Sequence, residues 1–211
     1  MSSFKEINLE QWKRKEIYQF FRTFDNPYFN LVANVDITNL YNYSKQNNRS
    51  FFLASLFYST KAANDIDEFR LRMQGDKVVC YDAVDPGCTI FMDDDTFRYG
   101  YFSYHTDFTT FHEEGQQIIT AMKTDPAFDP KSYKDNIIYY SVLPWLSFTA
   151  IEHPKRFKEP DSIPRIVFGK YFMDNNRRLM PVAVQVNHCL MDGYHAAKYF
   201  RLFQQEIDSL I

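Results

Sequence analysis

The pair best suited to chemistry in this sequence is a histidine and an aspartate four residues apart. His188 and Asp192 lie in LMPVAVQVNHCLMDGYHAAKYF, residues 179–200. Pro181 to Val186 carries three valines in alternation, which predicts a strand, and Ala196 onward has the apolar spacing of an amphipathic helix. An imidazole delivered at the end of a strand is rigidly aimed and can take a proton near neutral pH, so His188 is a candidate general base. Asp192-Gly193 reads as the turn that holds it.

Other reactive side chains are weaker candidates on local pattern. Cys189 adjoins His188, but neighbours along a strand point to opposite faces, so the two diverge and Cys189 reads as a small buried thiol. Ser147 follows Pro144-Trp145 inside the β-branched, aromatic run Ile137 to Ala150; without a GxSxG elbow it reads as structural when taken alone. Lys13, Arg14 and Lys15, likewise taken alone, read as a solvated basic face.

Composition narrows the classes further. The 211 residues are 45% hydrophobic and 18% aromatic, enough to bury a sizeable core in one domain, residues 1–211. A net charge of −3 gives no electrostatic reason to expect nucleic acid or an anionic membrane surface as partner. Three cysteines, none in a CxxC pair, fit a reducing compartment. No apolar run approaches the roughly 20 residues that span a bilayer, and the N-terminus lacks a signal-peptide core, so the expected location is cytoplasmic. Neither a Walker loop nor GxGxxG occurs, and the five histidines show no zinc-ligand spacing, so no metal is expected.

The elements that must position these residues are legible in outline. A helix is expected from Ile7 to Phe24 with Asn8 as its cap, a strand from Tyr28 to Ile37, and one long helix from Asn39 to Asn64. A hairpin is expected around Gln74-Gly75-Asp76, then a loop from Asp82 to Gly87 and strands at Thr89–Met92 and Thr96–Tyr104. There follow a helix from Asp107 to Met122, a loop over Thr124–Lys134, the strand Ile137–Ala150 with Pro144 at a bulge or edge, a loop over His153–Pro164, and a strand from Arg165 to Met173. The elements lack a regular βαβ rhythm. An α/β chain of the α+β type, with a mixed sheet and helices packed on one face, is the expected architecture.

Taken together, several blocks resemble the chloramphenicol acetyltransferase family. They are His188-x-x-x-Asp192-Gly193 followed by an aromatic residue and His195, Pro144-Trp145-x-Ser147-Phe148-Thr149, Gly169-Lys170-Tyr171, Gln11-Trp12-x-Arg14-Lys15-Glu16, Glu68-Phe69-Arg70 and Asp82-x-Val84-x-Pro86. They occur in that family's order across almost the whole chain. The resemblance implies a CoA-dependent acyltransferase sandwich assembled as a homotrimer with sites between subunits, acting on a small-molecule hydroxyl acceptor.

By position, the resemblance makes His188 the base that takes the proton of a primary hydroxyl attacking acetyl-CoA, and Ser147 the donor to the oxyanion. Asp192 would pair with Arg14 and brace the site. Lys170 and Tyr171 would contact coenzyme A, the lysine near the 3′-phosphate and the aromatic near adenine. Phe21 and Phe29 would line the acceptor pocket, with Phe20 where a smaller residue is usual and Pro27 where cysteine is frequent. Asn187 stands where a second histidine is common, and Val167 where a threonine organises water.

Three readings remain open from sequence. The first is an acetyltransferase acting on chloramphenicol or on another hydroxyl acceptor; the second is an acyltransferase core serving a protein-tethered acyl group. The third is a homologue that binds coenzyme A or ligand without turnover.

Overall fold

The computed structural model describes residues 3–124, 135–154 and 161–210. Its centre is β10 (Arg177–Asn187), eleven residues buried from Met180 onward. Antiparallel neighbours flank it: β2 (Tyr28–Asp36), paired from Leu179 to Asn187, and β8 (Arg165–Gly169) on the other side. β7 (Ile137–Leu143), β5 (Asp85–Phe91) and β6 (Phe97–Tyr101) extend the sheet in the order β2-β10-β8-β7-β5-β6, and β9 (Phe172–Asp174) pairs with the start of β10. The β5–β7 and β7–β8 pairings are parallel and the rest antiparallel, so the sheet is mixed. A separate three-stranded sheet joins β1 (Phe4–Glu6), β4 (Lys77–Tyr81) and β3 (Leu71–Gln74).

Alternation along β10 sends its side chains to two different cores. Met180, Val182, Val184 and Val186 pack with α3 (Phe51–Asn64) and α6 (Gly193–Asp208), through residues such as Leu53, Phe57, Tyr199 and Phe203. Ala183 faces the other way, against Phe148 and Val167. Gln185 and Asn187 share its face, so polar groups line the sheet surface leading toward His188.

Several boundaries differ from the sequence expectation for identifiable reasons. Asn8 does not cap a helix; its side chain accepts from Glu10 N–H at 3.1 Å in a local turn, and α1 runs only over Lys15–Phe21. The long helix expected from Asn39 is two, α2 (Thr38–Gln46) and α3. Asn48 adopts a left-handed φ of 51° and Ser50 caps the new start by accepting from Leu53 N–H. Asp85, Pro86 and Gly87 belong to β5 rather than to a loop. β7 stops at Leu143, before Pro144, so Ser147 lies outside the strand. The hairpin at Gln74-Gly75-Asp76 forms, with Gly75 at φ 60°. A four-residue α4 (Asp67–Arg70) precedes it, and α5 (Phe108–Thr124) follows the predicted helix. The expected loop Thr124–Lys134 lies outside the described residues except for Thr124, as do residues 155–160 of the loop His153–Pro164.

Candidate active site

His188 is the first residue beyond β10. Its N–H donates to Pro27 O at 2.7 Å, which ties it to the start of β2. Its ring stacks on Phe21 at 3.9 Å between centroids, 8° from parallel, with Phe29 at 4.8 Å. Among the described residues neither ring nitrogen makes a hydrogen bond. Nδ1 is buried, 3.2 Å from Asp192 Oδ1 but outside hydrogen-bond geometry, which leaves Nε2 at the accessible edge of a side chain 32% exposed.

The carbonyl side of the same turn is gripped by Arg14. Its guanidinium donates to both carboxylate oxygens of Asp192 at 2.5 Å, from Nη2 to His188 O at 2.7 Å and from Nε to Cys189 O at 3.0 Å. Arg14 is therefore buried, unlike its solvated neighbour Lys13, because four acceptors replace the water it loses. The hydrogen bonds from Arg14 hold the Asp192 carboxyl below the usual aspartate range, with burial opposing them. Gly193 is the first residue of α6, with Asp192 as its N-cap, rather than the corner of a reverse turn. Cys189 is buried among Tyr18, Leu71 and Leu190, and burial pushes its thiol up to about 11, which suits an inert side chain.

Asn187 supplies a support the sequence pattern did not reveal. Its side-chain oxygen accepts from Cys189 N–H at 2.9 Å and its amide donates to Asp161 O at 3.0 Å. Tyr28 O–H also donates to that carbonyl, and the Asp161 carboxylate pairs with Arg165. A buried polar residue at the last strand position was the available signal; Asp161, in a charged loop, offered none.

Ser147 sits with a second group of predicted residues, away from His188. Leu146 O accepts from Lys170 N–H at 2.9 Å, and Phe148 packs over Gly169, so Ser147, Lys170 and Tyr171 share one end of the sheet. Continuing the register from Val182↔Phe168 sets Gly169 beside Pro181, near the start of β10. His188 follows its other end, roughly 20 Å away at about 3.3 Å per residue. Ser147 is exposed, flanked by Trp145 and Leu146 at 59% and 61% exposure. Lys170 is exposed with no acidic partner among the described residues. Tyr171 is half-buried against Tyr41, whose ring carries Arg178 at 4.3 Å and Lys45 at 5.6 Å.

The candidate acceptor residues gather at the His188 end. Phe20 and Phe24 both ring-contact Phe21 at about 5 Å and are exposed, so the aromatic surface behind His188 continues outward. Val167 is fully buried between Phe148 and Ala183, where a hydroxyl would lie in an apolar cluster. No group of three or more histidine, cysteine or acidic side chains among the described residues is placed to hold a metal ion, and no described helix is long and apolar enough to cross a membrane.

This architecture is that of the acyltransferase cores. A probable dihydrolipoamide acetyltransferase from Listeria monocytogenes matches over 92% of this chain and 89% of its own with a TM-score of 0.63, at 11% identity a likeness of fold alone. A solved chloramphenicol acetyltransferase matches over 97% of this chain and all of its own, with a TM-score of 0.88 and 30% identity. In sequence, the chloramphenicol acetyltransferase of Proteus mirabilis is 32% identical over 203 residues, 96% of this chain and 94% of that protein. The family described as Chloramphenicol acetyltransferase matches residues 2–204. The chain belongs to this family and is an acyltransferase.

Proposed function

We propose that the protein is an O-acetyltransferase that moves an acetyl group from acetyl-CoA to a primary hydroxyl of a small molecule, with chloramphenicol, named for its relatives, as the first acceptor to try. The observation that carries this reading is His188 itself: its backbone tied to Pro27 and Arg14, its ring stacked on Phe21, and neither ring nitrogen in a hydrogen bond among the described residues. Acetyl-CoA supplies an activated acyl carbon. His188 takes the acceptor's hydroxyl proton as its oxygen bonds to that carbon, and returns the proton to the departing thiolate of coenzyme A. Ser147 donates to the oxygen that becomes anionic, a contribution worth about 10²–10³ in rate. Arg14 and Asp192 touch no reactant and hold the turn. Phe21, Phe29 and Pro27 form the inner wall of the acceptor site and Phe20 its outer part. An exposed Lys170 without an acidic partner among the described residues, beside Tyr171 and the cations at Tyr41, fits a ligand bearing phosphates and an adenine ring.

A separation of about 20 Å between Ser147 and His188 within one chain favours a site completed between copies, as in a homotrimer. The exposed apolar Trp145 and Leu146 around Ser147 fit burial against a second copy. A soluble, cytoplasmic assembly folding as one unit is the form this reading takes.

Two measurements test it. Purified protein given acetyl-CoA should release coenzyme A thiol only when chloramphenicol or another hydroxyl acceptor is present, and His188→Ala should abolish that release; residual transfer within tenfold of wild type would remove His188 from the role. Mixing unfolded His188→Ala and Ser147→Ala subunits and refolding them together should restore activity at about a quarter of the sites, those that pair an intact histidine with an intact serine. Recovery of none would mean that both residues act from one chain.

A further inference from the structure

Two residues with no assigned role meet beside the candidate site: His195 Nε2 lies 3.3 Å from Glu68 Oε1. We propose that Glu68 and His195 are positioning residues that fix the backbone of Asp192, and through it the carboxylate facing His188 and Arg14. The proposal rests on the reading of His188 as the base and deepens it.

His195 is the third residue of α6 and Asp192 is its N-cap. In an ordinary capping box the N-cap side chain satisfies the helix, and the third residue, usually Glu or Gln, reaches back to the N-cap N–H. Here a histidine holds that third position. Asp192 N–H donates to His195 Nδ1 at 3.0 Å, the reach-back half of the box, while both oxygens of the Asp192 carboxylate accept from Arg14 at 2.5 Å. The histidine thus anchors the N-cap backbone beside a carboxylate that Arg14 holds in the catalytic turn.

Chemistry then dictates the tautomer. Nδ1 can accept only if it bears no proton, so the ring hydrogen of neutral His195 sits on Nε2. That nitrogen faces Glu68, whose carboxylate can only accept when ionised. Glu68 belongs to α4, distant in sequence, and its side chain is 31% exposed against 18% for His195. A pair anchored on two elements therefore fixes which nitrogen faces Asp192. If the anchor loosens, the carboxylate 3.2 Å from His188 Nδ1 moves, and so does Arg14, which carries the His188 and Cys189 carbonyls. Misplacement of a reacting group by about 1 Å costs up to about 100-fold in rate.

The test uses the full chain labelled with ¹⁵N-histidine, as wild type, His195→Ala, His195→Gln and Glu68→Ala. Wild-type His195 should show the Nε2-protonated tautomer, and Glu68→Ala should lose that preference. His195→Ala should shift the ring resonances of His188 with no substrate present and lower kcat for acetyl transfer about tenfold, with KM for acetyl-CoA within about twofold. His195→Gln, which keeps an acceptor for the N-cap N–H, should restore both. A His195→Ala protein that melts lower but keeps the His188 resonances and kcat of wild type would overturn the proposal and leave a plain helix cap. Should that variant fail to fold, Glu68→Ala decides by the same readouts. A wild type without transferase activity would sink the acetyltransferase reading, while the resonances would still judge the pair.

Discussion

Arg14 offers the most direct perturbation of the candidate site, because one side chain makes four hydrogen bonds to one turn. Each is charge-assisted, a class worth about 1.5–3 kcal/mol apiece, yet they share one guanidinium and do not add. Removing one partner of a buried ion pair costs about 3–5 kcal/mol, and here the Asp192 side chain is 35% exposed, which tempers the cost. Arg14→Ala should therefore lose about 3 kcal/mol, a melting temperature lower by roughly 6–12 °C for a chain of this size. Arg14→Lys keeps the charge but not the planar fork, and should lose about half as much. Rate responds separately: freeing the His188 and Cys189 carbonyls should cut kcat about 10- to 100-fold. Acid unfolding adds a signed check. Arg14 lowers the Asp192 carboxyl from its ordinary 3.8, so the stability it contributes is present above that pH and is lost as pH falls through the lower folded value. Stability plotted against pH below 3.8 should be shallower in Arg14→Ala than in wild type. The assays are guanidinium denaturation across pH and acetyl-CoA turnover. An Arg14→Lys protein matching wild type in both would refute the idea that the fork holds the turn.

Two further outcomes are expected. His112 is buried and its Nε2 accepts from Ser50 N–H at 3.0 Å; burial first, then Arg49, lowers it below the ordinary 6.5. The unfolded chain takes up a proton below 6.5 that the folded chain refuses until its lower value is reached, so melting temperature should fall as pH drops from 7.5 through that window. His112→Asn should flatten the fall, and an unchanged slope would remove His112 as its source. Gly169→Ala would place a methyl 2.9 Å from the Phe148 ring and 3.3 Å from Leu146 O, the two residues bracketing Ser147. It should cost about 1–3 kcal/mol and lower kcat by displacing Ser147, whereas wild-type kinetics would show that Phe148 gives way without moving its neighbour.

What could be read in the sequence followed from periodicity and from the blocks of family-like residues. The β10 alternation and the hairpin at Gly75 depend on local pattern and turn chemistry, and both form. Boundaries failed where a polar side chain competes with the helix: Asn8 closes a turn, and Asn48 in the left-handed region splits one expected helix into two. On local pattern alone Arg14 read as a solvated cation, because its acceptors lie about 175 positions later, beyond any local window; only the family-like blocks paired it with Asp192, a pair the structure contains. Asp161 was invisible for the same reason, since only the pairing of β8 with β10 brings its carbonyl to Asn187.

The manner in which His188 is held bears on what it can do. A histidine fixed by a hydrogen bond at Nδ1 gains orientation but commits a nitrogen; here orientation comes from elsewhere. Pro27 O takes the backbone N–H, Arg14 takes the backbone carbonyl, Asn187 pins the next N–H, and Phe21 lies flat against the ring. Every one of these contacts constrains position without engaging a ring nitrogen. Asp192 adds a carboxylate 3.2 Å from Nδ1, but both of its oxygens accept from Arg14 and neither makes a hydrogen bond to the ring. A ring so placed can gain a proton at Nε2 with little rearrangement around it. That is the requirement for a base that must accept a proton and return it within one turnover.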